Sequence, residues 1–189
     1  MALTRLGGNQ AINLTSNVTG TLPVANGGTN LTSGFINGTT AVGKILQVVN
    51  QAYSTEVTRT STSFGNTGID ATLTPSATNS KILVLMNCGQ IEIGNSSTQG
   101  IDLELVRSVG ASDTVIISQL QNNAGAFTNL NHAVYRTFTG HASCSYLDTP
   151  STTSACQYRV NFKCYNTDTF VGVQMHSTTS TICLMEIGA

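Results

Sequence analysis

Ala155-Cys156-Gln157-Tyr158-Arg159-Val160-Asn161-Phe162-Lys163-Cys164-Tyr165 alternates without a break, Tyr158, Val160, Phe162 and Cys164 on one side and Arg159, Asn161 and Lys163 on the other. A period of two belongs to an extended strand with one buried face. The same rhythm runs through Ile101 to Ser108, where Ile101, Leu103 and Leu105 face in and Asp102, Glu104 and Val106 face away. It also runs through Ile69 to Thr74, which carries Ile69, Ala71 and Leu73 and stops at Pro75. Ser80 to Ile93 is the most apolar segment, and Lys81-Ile82-Leu83-Val84-Leu85-Met86-Asn87-Cys88 within it predicts a central strand covered on both faces. A further β region runs from Ile45 to Thr62. Thr114 to Leu120, His132 to Thr139, Ala142 to Leu147, Thr169 to His176 and Thr181 to Ile187 complete the set.

Strands at a spacing of about ten residues are the rhythm of sandwiches and barrels. No stretch keeps helical spacing, and Thr, Val and Ile are plentiful, so propensity and pattern agree. The reading is an all-β protein with about eight to ten strands: an antiparallel, jelly-roll-like β-sandwich head over 44–189, preceded by an extended N-terminal arm over 1–43. In the arm, Leu3, Leu6, Ile12, Leu14, Val18, Leu22 and Val24 stand apart between turn formers such as Asn26-Gly27 and Asn37-Gly38. Such a segment cannot offset its own ordering entropy, roughly 1 to 2 kcal/mol per backbone residue, so it is expected to need neighbouring chains or a docking groove.

Charged residues make up only 9% of the chain and the net charge is -1, against a usual charged share of about 25%. The eight Lys and Arg residues are scattered singly, which argues against nucleic-acid binding, since that needs clustered cations. The longest apolar run, Ile82 to Met86, is far below the roughly 20 residues of a membrane helix, so no membrane insertion is expected. Met1 to Asn13, broken by Gly7, Gly8, Asn9 and Gln10, does not read as a secretory signal, and synthesis into the cytoplasm is expected. Cys88, Cys144, Cys156, Cys164 and Cys183 are then expected to be free thiols packed as small hydrophobes, and the Asn-x-Ser/Thr triplets carry no glycosylation meaning.

Catalytic patterns are weak. His132, His141 and His176 lie in different predicted elements, and His141-x-x-Cys144 falls short of a zinc site's four ligands. Cys156 and Cys164 share a strand face, which suits a core and gives neither thiol a base. No G-x-S-x-G elbow is present; Gly94 to Gly100 reads as a hairpin loop. Asp102 and Glu104 would lie about 7 Å apart along one strand and read as solvated surface charges rather than a glycosidase pair. Gly27-Gly28 lacks the Lys-Ser/Thr of a phosphate loop. The expectation is no enzyme and no cofactor.

Asn17-Val18-Thr19-Gly20-Thr21-Leu22-Pro23-Val24-Ala25-Asn26-Gly27-Gly28-Thr29 resembles the G-T-L-P-x-x-N-G-G-T element of tailed-bacteriophage fibre proteins. The segments around Gly43 to Val49, Thr60 to Phe64, Thr67 to Ile69, Thr72 to Pro75 and Ser80 to Val84 are similar to the β-rich heads that follow this element. The resemblance covers about residues 17–85. It implies a homotrimer on the virion exterior.

These readings predict a short tail fibre or, alternatively, a capsid decoration or head-fibre protein, assembled in the host cytoplasm. Leu14, Val18, Leu22, Pro23, Val24, Asn26, Gly27 and Gly28 would form the trimer and anchor segment, docking on other virion proteins of the tail or capsid. The expected ligand-facing loops are Gly94 to Gly100, Gln121 to Asn131 and Asp148 to Ser154, with Asn95, Ser96, Gln99, Asn122, Asn123, Asn129 and Asp148 meeting host surface glycan or protein. Tyr135, Tyr146 and Tyr158 are candidate stacking platforms.

Overall fold

A computed structural model of the protein describes residues 44–94, 100–124, 138–167 and 170–188, with side chains described there except at 119–124 and 138. The arm over 1–43, with its trimer and anchor residues, lies outside the described residues. Among them the strands are β1 (Ile45–Tyr53), β2 (Val57–Arg59), β3 (Gly65–Leu73), β4 (Lys81–Ile93), β5 (Ile101–Val109), β6 (Ser112–Ala124), β7 (Phe138–Asp148), β8 (Cys156–Cys164), β9 (Val171–Val173) and β10 (Ser180–Ile187). One 3-10 turn, Met175–Ser177, separates β9 from β10, and no α-helix occurs among these residues.

The first sheet is organised by β4. Along one edge β4 pairs with β7 from Ile82–Asp148 to Ile93–Phe138; along the other it pairs first with β10 and then with β9. In turn, β1 pairs with β10 and β2 with β9. The interrupted strands therefore count as single positions, giving the order β1/β2, β10/β9, β4, β7. The second sheet has the order β3-β8-β5-β6. All pairs are antiparallel, and two four-position sheets wound in this order make a jelly roll. The all-β, sandwich reading of the head is correct.

The two inner faces form one apolar core. Ile82, Val84, Met86, Cys88, Ile182 and Leu184 from the first sheet meet Ile69, Leu73, Leu103, Leu105, Tyr158, Val160 and Phe162 from the second. In β8 every second residue is buried, as its alternation demands. Tyr53 of β1 also ties the sheets, its hydroxyl donating to the Asp70 carbonyl of β3 at 2.6 Å. The β5–β6 hairpin turns through Gly110, at φ 60, a conformation that costs glycine little.

Four strand readings need correction. Thr139 to Leu147 lies in a single strand, with Gly140 paired to Ile91, so no turn separates the two strands expected there; 132–137 lie outside the described residues. The expected strand Thr169 to His176 is cut short because Gln174 and His176 adopt left-handed backbone (φ 54 and 55). The region Ile45 to Thr62 is broken after Tyr53, opposite that same turn, because β1 has lost its partner strand there. Finally, Val106 does face away from the core, yet it is only 1% exposed, lying on the outer face of the second sheet between its partners Arg159 and Val115.

Glu186 enters the structure at the end of the first sheet, 1% exposed. Burial alone would raise its pKa; the hydrogen bonds from Ser76 and Gln47 outweigh it and hold the carboxyl down at about 2. Ser76 donates through both N–H (2.7 Å) and hydroxyl (2.6 Å), and Gln47 through Nε2 (2.6 Å), which fastens the β3–β4 loop to β1 and β10. A carboxyl depressed from 4.5 to about 2 contributes stability that is fully present above pH 4.5 and is lost as pH falls through about 2. Urea unfolding should accordingly show the wild type losing its stability advantage over Glu186→Gln between about pH 4.5 and about pH 2.

Candidate functional site

An antiparallel two-sheet winding sends alternate connections to opposite ends. Lys44, the β3–β4 loop, the Gly110 turn, the β7–β8 loop and Gly188 lie at one end, where Ile45, Ile187 and Lys81 stand side by side. The ends of β2, β4, β6 and β8 and the starts of β3, β5, β7 and β9 lie at the other, beside Ile93, Phe138 and Val171. The expected ligand loops thus separate. Gly94 and Gly100, which bound one expected loop, and Ala124, where β6 ends inside another, belong to the far end, while 95–99 and 125–131 lie outside the described residues. Asp148 to Ser154 belongs to the end where residues 1–43 join the head.

Asp148 is not a loop ligand. It terminates β7, is 6% exposed, and its Oδ2 accepts from Arg107 Nη1 at 2.6 Å and from the Tyr158 hydroxyl at 2.7 Å. It therefore crosslinks the two sheets, since β7 lies in the first and β5 and β8 in the second. Burial, then the adjacent Asp148 carboxylate, pushes the Tyr158 phenol upward, so Tyr158 stays protonated. It is wholly buried and no stacking platform; Tyr146 is half-buried on the inner side of β7, opposite Val84, and Tyr135 lies outside the described residues. Asn122 and Asn123 are in β6 rather than a loop, because the strand runs on to Ala124. Asn95, Ser96, Gln99 and Asn129 lie outside the described residues.

At the far end, backbone hydrogen bonds fasten the connections to each other. Gly94 N donates to Phe170 O, Tyr165 N to Gly100 O, and Cys164 N to Ser61 O, each at 2.9 Å. The β2–β3, β4–β5 and β8–β9 connections are thereby held together at their described roots. Two aromatic residues stand there that the sequence reading passed over. Tyr165 is 54% exposed immediately after β8, and Phe64 is exposed with Lys163 Nζ 4.8 Å above its ring. The only sequence signal was that Tyr165 follows the last residue of an alternating run.

A strained turn sits on the first sheet towards this end. Gln174, His176 and Ser177 all have positive φ. His176 Nε2 lies 3.1 Å from Glu92 Oε2, and Ser177 N donates to Glu56 Oε1 at 3.2 Å. Gln174 is wholly buried, and neither atom of its amide has a hydrogen-bond partner among the described residues.

Burial pushes the Cys88 and Cys144 thiols up to about 11 and raises those of Cys156 and Cys164, so these cysteines are poor nucleophiles at neutral pH. Cys88, Cys144, Cys156 and Cys183 are free thiols. Asp102 and Glu104 are not merely solvated charges: Asp102 lies 3.4 Å from Lys163 Nζ, and Glu104, 8% exposed, accepts from Asn161 Nδ2 at 2.9 Å. Among the described residues no group of three His, Cys, Asp or Glu side chains is placed to hold a metal ion, and no helix is long and apolar enough to cross a membrane.

No protein-family model and no curated protein matches the sequence. Solved structures with some similarity include the infectious bursal disease virus VP2 subviral particle, at 9% identity and a TM-score of 0.32, covering 75% of this chain and 39% of that one. The infectious bursal disease virus Gx strain structure is similar at 9% identity and a TM-score of 0.30, covering 76% and 40%. The chain spans about two fifths of either.

Two measurements check the site. Asp148→Ala leaves the Arg107 guanidinium unpaired and should lower folding stability by about 3 kcal/mol in denaturant unfolding. Gln174→Met replaces an unpartnered buried amide at similar volume and should raise it by about 1 kcal/mol, unless that amide serves a ligand.

Proposed function

We propose that this chain is a non-enzymatic virion surface protein, a short homotrimeric tail fibre. Residues 1–43 anchor it to other virion proteins, and the far end of the jelly roll meets host surface glycan or protein. The observation that carries this reading is the polarity of the head. Residues 1–43 follow on to it at Lys44, and at the opposite end the roots of three connections are hydrogen-bonded together, with Tyr165 and Phe64 exposed among them. The end beside the anchor is tied down by Glu186 and Asp148, which suits a mount. Aromatic rings among Asn, Ser and Thr suit a neutral ligand, because a sugar ring stacks on an aromatic face while its hydroxyls take the polar side chains.

Capsid decoration is the second reading, favoured by a head whose first strand starts directly after Lys44, with no shaft among the described residues. Gold-conjugated antibody against the head, applied to intact particles that carry this protein, separates the two: label at the tail tip supports the fibre, and label over the shell supports decoration. For the fibre, the fluorescently labelled full chain should bind host cells, and Tyr165→Ala should weaken binding about five- to tenfold, the worth of one stacked ring. Release of soluble sugar from host envelopes by the purified protein would overturn the non-enzymatic assignment.

A further inference from the structure

We propose that the outer face of the first sheet, at the end nearest Lys44, is the surface through which copies of this chain pack against one another. The inference rests on the homotrimer reading and assigns its interface. Register defines the face. Val48, Met185, Leu83 and Leu147 form one row across all four strands. Asn50, Cys183, Leu85 and Ser145 form the next, and Ala52, Thr181, Asn87 and Ser143 the one after. Val48 is 53% and Leu147 50% exposed, and Leu85 is 37% exposed in the middle of the sheet. Ile45 and Leu46 extend the patch at its corner and are exposed as well.

Three observations point to a second copy as the occupant. First, Lys81 to Cys88 has the apolar pattern of a strand buried on both sides, while the chain's own core covers only Ile82, Val84, Met86 and Cys88. Isolated exposed apolar residues are ordinary, but an apolar row that crosses four strands, with Val48 and Leu147 exposed and Met185 and Leu83 half-buried between them, is not. Second, charge is segregated. The three rows hold no charged side chain, exposed Lys81 and Lys44 standing at their margin, whereas the second sheet's outer face carries Asp70, Asp102, Glu104, Arg159 and Lys163. Uncharged rows meet their own copy without repulsion. Third, Lys44 lies at this corner, its carbonyl accepting from Gly188 N at 2.8 Å, so 43 residues join the head beside the patch. Copies linked through those residues would have these faces close together.

The test is sedimentation of the purified full chain over a dilution series. Wild type should be oligomeric, and Val48→Asp with Leu147→Asp should raise the dissociation concentration about 100-fold, since like charges brought face to face cost several kcal/mol. Val115→Asp, at an equally exposed site on the second sheet, should leave it unchanged. Val48→Ser with Leu147→Ser is the milder pair should the acidic variant fold poorly; it should shift dissociation in the same direction. A monomeric wild type, or an oligomer indifferent to both pairs, would overturn the proposal. A dimer that responds to them would support the face and count against the trimer, whatever the gold labelling shows.

Discussion

Strand β4 is hydrogen-bonded along both edges, and that double pairing fixes the rest of the head. With β7 on one side and β10 then β9 on the other, β4 can neither slide nor flip, because a slip of one residue would exchange Ile82, Val84 and Met86 with Leu83, Leu85 and Asn87. The same register therefore seals the core and presents an apolar row on the outside. Core and interface are two consequences of one alternation. The outer row is apolar because Leu83 and Leu85 stand on that side between Lys81 and Asn87.

Antiparallel winding then gives the head two chemically different ends. At the end beside Lys44, buried carboxylates hold loops to strands: Glu186 gathers Ser76 and Gln47, and Asp148 gathers Arg107 and Tyr158 from the opposite sheet. Both charges are covered, so each is stabilising only through its partners. At the far end the connections are joined by backbone hydrogen bonds at their roots, and aromatic rings stand open.

The two outer faces differ as much as the two ends. On the second sheet, Arg159 bridges Ser108 and Asp113 across β8, β5 and β6, and Lys163 stands by Asp102. These hydrogen bonds and the Arg159 charge hold the exposed Asp113 carboxyl below its usual range. Such a face is self-sufficient in water. The first sheet's outer face near Lys44 has nothing of the kind, and its exposed leucines and valine gain only when another surface removes them from solvent.

Sequence by itself determined the strand character and the composition of the core. Alternation is local, and β8 and β5 could be read residue by residue, down to Tyr158, Phe162 and Leu105 inside. It could not give the breaks, since nothing in Gln174 or His176 announces a left-handed backbone that only the neighbouring strands impose. Nor could it place Asp148, whose polar setting between Leu147 and Thr149 looks like a loop until Arg107 and Tyr158 arrive from the other sheet. Which loops share an end, which face of β4 stays open, and where Tyr165 stands were decided by tertiary structure alone. Each depends on pairing between residues tens of positions apart, and local pattern carries no record of the partner.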